Sequence, residues 1–160
     1  MRIFFWLLLT GVVVCGQEFM VRLQMDHAHV EELYFACQEG RSIGYDSGSD
    51  IYCPPGGMGN TGLAWFVVAE PKLLPLYKDV RGSVFPQQWT VFAQPPAGGS
   101  LTFSWAEAQF PAGLVFELRH GEKVIDMRSI RQFSVTEKTE LAIAVSKPAA
   151  AAGEQGNGKK

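Results

Sequence analysis

The most oxygen-rich stretch of this 160-residue chain is Gly44 to Pro55, GYDSGSDIYCPP, in which Asp46 and Asp50 bracket Ser47, Gly48 and Ser49. Two carboxylates four residues apart, with hydroxyls and backbone carbonyls between them, are donors of the kind that bind calcium. The helix-loop-helix calcium pattern needs an oxygen ligand where Gly48 stands, a glycine where Ile51 stands and a late glutamate, and it is not met. The same spacing suits a turn in which each aspartate bonds nearby backbone amides. The aspartate-stabilised turn is the expectation, and a site with Asp46 and Asp50 as calcium ligands the alternative; no cofactor other than calcium is carried forward. Tyr45 and Tyr52 flank this loop as candidate binding residues.

Three other constellations are poorer. His27 and His29 share a strand face if extended, a spacing that can hold zinc or copper with Glu31 or Glu32, but no third histidine is near in sequence and tetrahedral sites need three or four ligands. Ser47 and Ser49 lack the Gly-x-Ser-x-Gly elbow of a strand-to-helix nucleophile. With no arranged nucleophile and base, the chain is not expected to be an enzyme. Asp79 with Arg81, and Asp126 with Arg128, have the spacing of structural ion pairs.

The elements that must position these residues have period two. Phe19, Val21, Leu23 and Met25 alternate with polar neighbours, Leu33, Phe35 and Cys37 resume the pattern, and a hairpin with the histidines in its turn is predicted over 19–37. Leu63–Val68, LAWFVV, is a continuous apolar strand expected to be buried on both faces. Pro71 and Pro75 place the following segment along an edge or across an end. Strands follow at Trp89–Ala93, Leu101–Trp105, Leu114–Arg119, Val124–Met127, Phe133–Val135 and Leu141–Val145, separated by Pro and Gly turns. Short strands at this spacing, without helical period, predict an all-β, antiparallel sandwich. Trp65, Trp89, Trp105, Phe103 and Phe116 are assigned to its core. Phe66 and Phe92 have the opposite parity to the tryptophan of their strand and are candidate binding residues on an outer face.

The two ends differ in composition. MRIFFWLLLTGVVVCG has one positive charge, an apolar run and small residues, the layout of a secretory signal peptide over 1–16. Lipidation at Cys15 and retention as an anchor are the alternatives to cleavage. KPAAAAGEQGNGKK, 147–160, is expected to be a disordered tail. The 17–146 body holds 15 acidic and 10 basic side chains, so it lacks the basic footprint that nucleic acid demands. In a secreted or cell-envelope protein the remaining pair, Cys37 and Cys53, is expected to form a disulfide, with two buried free thiols as the bland alternative.

Taken in order, the motifs resemble a known module. Gly44, Tyr45, Asp46, Gly48, Asp50, Pro54 and Pro55 match a GYDxGxDxxxPP pattern; Asp79-Val80-Arg81, Trp89, Leu101–Trp105, Pro111 with Gly113, and Asp126-Met127-Arg128 follow in sequence. This succession, over about Val21 to Val145, is similar to an immunoglobulin-like β-sandwich module of bacterial secreted and cell-surface proteins. The resemblance implies a non-catalytic extracellular domain and supplies no ligand; the chain departs from it in the Cys37 and Cys53 pair and in standing almost alone behind the signal.

The expected function is a structural, protein-binding subunit of an extracellular assembly. Its candidate contacts are the N-terminal hairpin and the Pro71–Val84 segment, which would act by strand addition to protein partners at the cell surface. A small carbohydrate-binding module, with a glycan stacked on exposed aromatics, is the alternative, and a calcium-stabilised adhesion domain the second.

Overall fold

The computed structural model describes residues 16–53, 56, 60–68 and 74–149. The expected signal segment up to Cys15, Pro54 and Pro55, Pro71 and the tail from 150 onward lie outside the described residues. Eleven strands run in chain order: β1 (Phe19–Asp26), β2 (Glu32–Cys37), β3 (Ile51–Tyr52), β4 (Leu63–Val68), β5 (Leu74–Arg81), β6 (Gln87–Gln94), β7 (Leu101–Ser104), β8 (Val115–His120), β9 (Lys123–Asp126), β10 (Gln132–Val135) and β11 (Thr139–Ser146). A 3-10 turn, Glu107–Gln109, is the one helical element among the described residues. The fold is all-β, and the alternation legible in the sequence sets which side chains point inward.

The strands form one curled, mixed sheet in the order β10-β7-β1-β2-β5-β4-β6-β11-β8-β9, with β3 added to β5. β5 makes the curl. Its Lys78 pairs with Tyr34 of β2 and with Ile51 of β3, while its Leu76 pairs with Phe66 of β4 and with Tyr52 of β3. A strand has two edges, so β3 takes one and β2 and β4 share the other, each along half of its length. β5 thereby carries the chain from the β1–β2 side of the sheet to the β4–β6 side. At the opposite flank the terminal strands β9 and β10 are joined directly by Met127–Arg131.

Three expectations are corrected by this topology. The sheet is not wholly antiparallel, because β2 and β5 run parallel. Pro75 does not consign its segment to an edge: it is the second residue of β5, where a missing N–H costs little, and its carbonyl accepts from Cys53 N at 2.8 Å. The described part of the Pro71–Val84 segment offers no free strand edge, since β5 lies between β3 and its two other partners; β1 is paired with β2 along Phe19–Gln24 and with β7 only along Gln24–Asp26.

Phe35 of β2 stands at the centre of the core, with ring centroids 5.1 Å from Trp89 of β6 and 6.4 Å from both Phe66 of β4 and Phe116 of β8. Each of these four side chains is fully buried, and burial of such a side chain stabilises by about 1.5–3 kcal/mol. Strand β4 departs from expectation. It is not covered on both faces: Ala64, Phe66 and Val68 are buried while Leu63, Trp65 and Val67 are partly exposed. Phe66 is a core residue, and Trp65 faces outward.

Candidate functional site

The described part of the motif, Gly44–Cys53, folds as a capped turn fastened to β5. Asp50 is buried; its Oδ1 accepts from Val80 N at 2.7 Å and its Oδ2 from Asp46 N at 2.7 Å. Asp46 Oδ1 accepts from Gly48 N at 2.9 Å, and Oδ2 from Arg41 Nη1 at 3.0 Å. Burial pushes the Asp50 carboxyl above its ordinary range, whereas the Gly48 amide and the Arg41 guanidinium hold Asp46 below it. All four carboxylate oxygens face N–H donors, the arrangement of an aspartate-stabilised turn; a cation would have to displace them. Among the described residues no group of three or more His, Cys, Asp or Glu side chains is placed to hold a metal ion. Tyr45 and Tyr52 are both exposed, one in the turn and one on β3.

The two Asp-x-Arg motifs act as staples, in different ways. Arg81 forks onto Asp79, with Nη2 2.9 Å from Oδ2 and Nε 3.2 Å from both oxygens, lies over the Trp89 ring at 5.2 Å, and donates to Gln88 O. Trp89 Nε1 returns a bond to Asp79 O at 3.3 Å. This pair is buried rather than exposed at an edge. Asp126 and Arg128 do not pair through their side chains. Asp126 accepts from the Arg128 amide and the Ser129 hydroxyl, which closes the turn, while the Arg128 guanidinium reaches the carbonyls of Phe110, Pro111 and Leu114.

Cys37 and Cys53 are separate free thiols, so the expected disulfide is not formed. Cys37 is paired with Arg81 on the β2 edge of β5, while Cys53 binds Pro75, beyond β3 on the opposite edge. Six residues of strand separate those two points, on the order of 20 Å at the rise of an extended chain. A disulfide needs its Cα atoms within about 7 Å. Burial pushes the Cys37 thiol up to about 12, and raises Cys53 as well.

His27 and His29 sit exposed at the tip of the β1–β2 hairpin, where His27 takes a φ of 65° and its carbonyl accepts from Gly62 N at 2.7 Å. A polar cleft of about 520 Å³ opens there, lined by Asp26, His27, Glu31, Glu32 and Ser104. Glu32 is engaged by Arg22 at 3.1 Å and by the Tyr34 hydroxyl. The third histidine, His120, lies against Thr139 and Phe133 elsewhere on the sheet.

The four aromatic binding candidates are not brought together: Phe66 is in the core, Tyr45 and Tyr52 flank the turn, and Phe92 lies on the outer face of β6. There it meets a residue that sequence reasoning assigned to the core. The Trp65 ring stacks on Phe92 with centroids 4.2 Å apart and planes 20° apart, and Lys138 Nζ lies 5.2 Å from the Phe92 centroid. Strand register makes this pair, because Trp65 is directly opposite Phe92. Beside this ridge Val67, Thr90 and Ala142 form one cross-strand row that ends on Arg119 of β8, while Glu140 stands opposite Phe92 and Ala144 lies between Gln88 and Glu117. The available signal was β6, where inward Trp89 and Val91 require Phe92, and hence its partner in register, to point outward.

The outer face around β1 is different in character. Arg22 and Gln24 are exposed there, Arg22 pairs with Glu32, and Thr102 bonds to Ser134 at 2.8 Å. Comparison with known proteins found no matching family model, no matching curated protein and no matching solved structure.

Proposed function

We propose that the chain is a non-catalytic, extracytoplasmic domain of immunoglobulin-like sandwich type that binds a protein partner within an extracellular assembly. The observation that carries this reading is the contrast between outer faces. The face formed by β4, β6 and β11 offers an aromatic ridge, Trp65 and Phe92, beside a shelf of Val67, Thr90, Ala142 and Ala144. A ridge and shelf bordered by the charges of Glu140, Lys138 and Arg119 suit another folded surface, since an apolar, aromatic centre with a polar rim is the anatomy of protein interfaces. The MRIFFWLLLTGVVVCG leader supports an extracytoplasmic location.

The glycan alternative has less support. Sugar platforms present open ring faces, whereas Phe92 has Trp65 stacked on it and the Lys138 ammonium over its ring. Calcium-dependent adhesion would require displacing the N–H donors that face Asp46 and Asp50.

The test is co-purification of partners from the native envelope or secreted fraction with Ala142→Glu, Trp65→Ala and, on the polar face, Gln24→Glu. The reading requires that the first two lose a partner that Gln24→Glu keeps. A partner retained by Ala142→Glu, or lost only with Gln24→Glu, overturns it.

A further inference from the structure

Strand β1 has a partner on both sides over only part of its length. Met25 N bonds to Glu31 O at 2.8 Å, so the odd-numbered residues of β1 turn their backbone groups toward β2 and the even-numbered ones turn theirs the other way. On that other side β7 pairs with β1 only along Gln24–Asp26, which leaves Met20 and Arg22 without a strand beside them. Gln109 stands in for one. Its Oε1 accepts from Arg22 N at 2.6 Å and its Nε2 donates to Arg22 O at 3.5 Å, the two bonds that one residue of a neighbouring antiparallel strand would make. Farther along, Gln17 Nε2 donates to Ala112 O at 2.8 Å. The covering segment is pinned from behind. Phe110 is buried against Phe116 with centroids 4.5 Å apart, Glu107 pairs with Arg131 at 2.5 Å, and the Arg128 guanidinium holds the carbonyls of Phe110, Pro111 and Leu114.

We infer that the segment 107–114 is a guard over the open edge of β1, and that the chain pairs through this edge with a second copy of itself when the guard lifts. An uncovered strand edge is a template for another strand, and the sequence of β1 selects its own copy. In an antiparallel pairing centred on Met20, the outward N–H and C=O of Met20 meet those of Met20 of the second copy. Arg22 then stands opposite Glu18 of the second copy, and the two-fold axis repeats that pair. Phe19 falls opposite Val21, so apolar residues match on the inner face. Glu18 and Arg22 are both exposed, and opposite charges directly across two strands favour the register that brings them together. Met20, at the centre, is 48% exposed. Strands β2 and β5 separate β1 from β4, so this contact leaves the Trp65 face open and does not depend on what that face binds.

The experiment uses the full chain with Cys15→Ser and Met20→Cys, which sets the new thiol opposite its own copy at the centre of the pairing. Cα atoms of such a pair lie about 5.5 Å apart, within disulfide reach, and the native Cys37 and Cys53 are buried. The expected result is that adding Gln109→Ala raises the yield of disulfide-linked dimer under air oxidation about tenfold, the worth of one ordinary hydrogen bond. Arg22→Glu in the Gln109→Ala background should remove that gain by setting like charges opposite each other, and adding Glu18→Arg should restore it. Gln24→Cys in place of Met20→Cys should not cross-link, because β7 occupies its edge. No gain with Gln109→Ala, a gain that survives Arg22→Glu or is not restored by Glu18→Arg, or equal cross-linking at the two cysteine positions would each overturn the inference.

Discussion

Arg81 folds back onto Asp79 two residues earlier in the same strand, and the contact is nearly closed to water, with 13% of the Arg81 side chain and 2% of the Asp79 side chain exposed. Replacing Arg81 with alanine strands a carboxylate that burial has already pushed above its ordinary range. Breaking a buried pair on one side costs about 3–5 kcal/mol. The double variant Asp79→Ala/Arg81→Ala is expected to be more stable than Arg81→Ala alone, since it removes the unpaired charge. Urea denaturation checks both values, and a double variant less stable than the single would refute the account.

Phe66 and Phe92 separate core from surface. Phe66→Ala opens a cavity beside Phe35 and is expected to cost about 3–5 kcal/mol. Phe92→Ala removes a stacked neighbour of Trp65 on the outer face and should cost roughly 0.5–1.5 kcal/mol. Equal losses in denaturant titrations would contradict the β4 and β6 registers described above.

The thiols provide a second check on topology. With a value of about 12, Cys37 holds roughly one part in ten thousand of thiolate at about pH 8. Native protein should leave Cys37 and Cys53 unalkylated, denaturation should expose both, and reductant should not change the melting temperature. A reductant-dependent melting shift would show a bond between them.

Acid stability should follow the two turn aspartates, half-buried Asp46 and exposed Asp126. Asp46 and Asp126 are held below the ordinary aspartate value of 3.8, Asp46 first by the Gly48 amide and Asp126 first by the Ser129 hydroxyl. Their contribution is therefore fully present above 3.8 and is lost as pH falls through their folded values. Asp50 and Asp79, raised by burial, act in the opposite sense: their contribution is greatest below 3.8 and declines as pH rises through their folded values. Asp46→Asn/Asp126→Asn should flatten the acid-side fall in melting temperature. Profiles parallel to the parent protein between about pH 6 and about pH 2 would refute this.

Much of the architecture was legible locally. Alternation at Phe19–Met25, Trp89–Val91, Leu101–Trp105 and Leu141–Val145 names inward and outward faces because successive side chains of a strand point to opposite sides. The turn at Asp46–Asp50 was legible for a similar reason, since its bonds run between near neighbours in the chain. LAWFVV carried no such information: an all-apolar strand satisfies either parity, and only its register against β6 turned Trp65 outward and Phe66 inward.

The sequence by itself determined an all-β chain with an aspartate-capped turn, an apolar N-terminal stretch and an alanine- and glycine-rich C-terminal stretch. Tertiary structure alone decided that β5 bridges the two sides of the sheet, that Cys37 and Cys53 lie against opposite edges of it, and that Trp65 joins Phe92 on an open face. Those relationships depend on which strands become neighbours. Strand pairing is a non-local choice, made by burial over the whole sheet rather than by the alternation within any one strand.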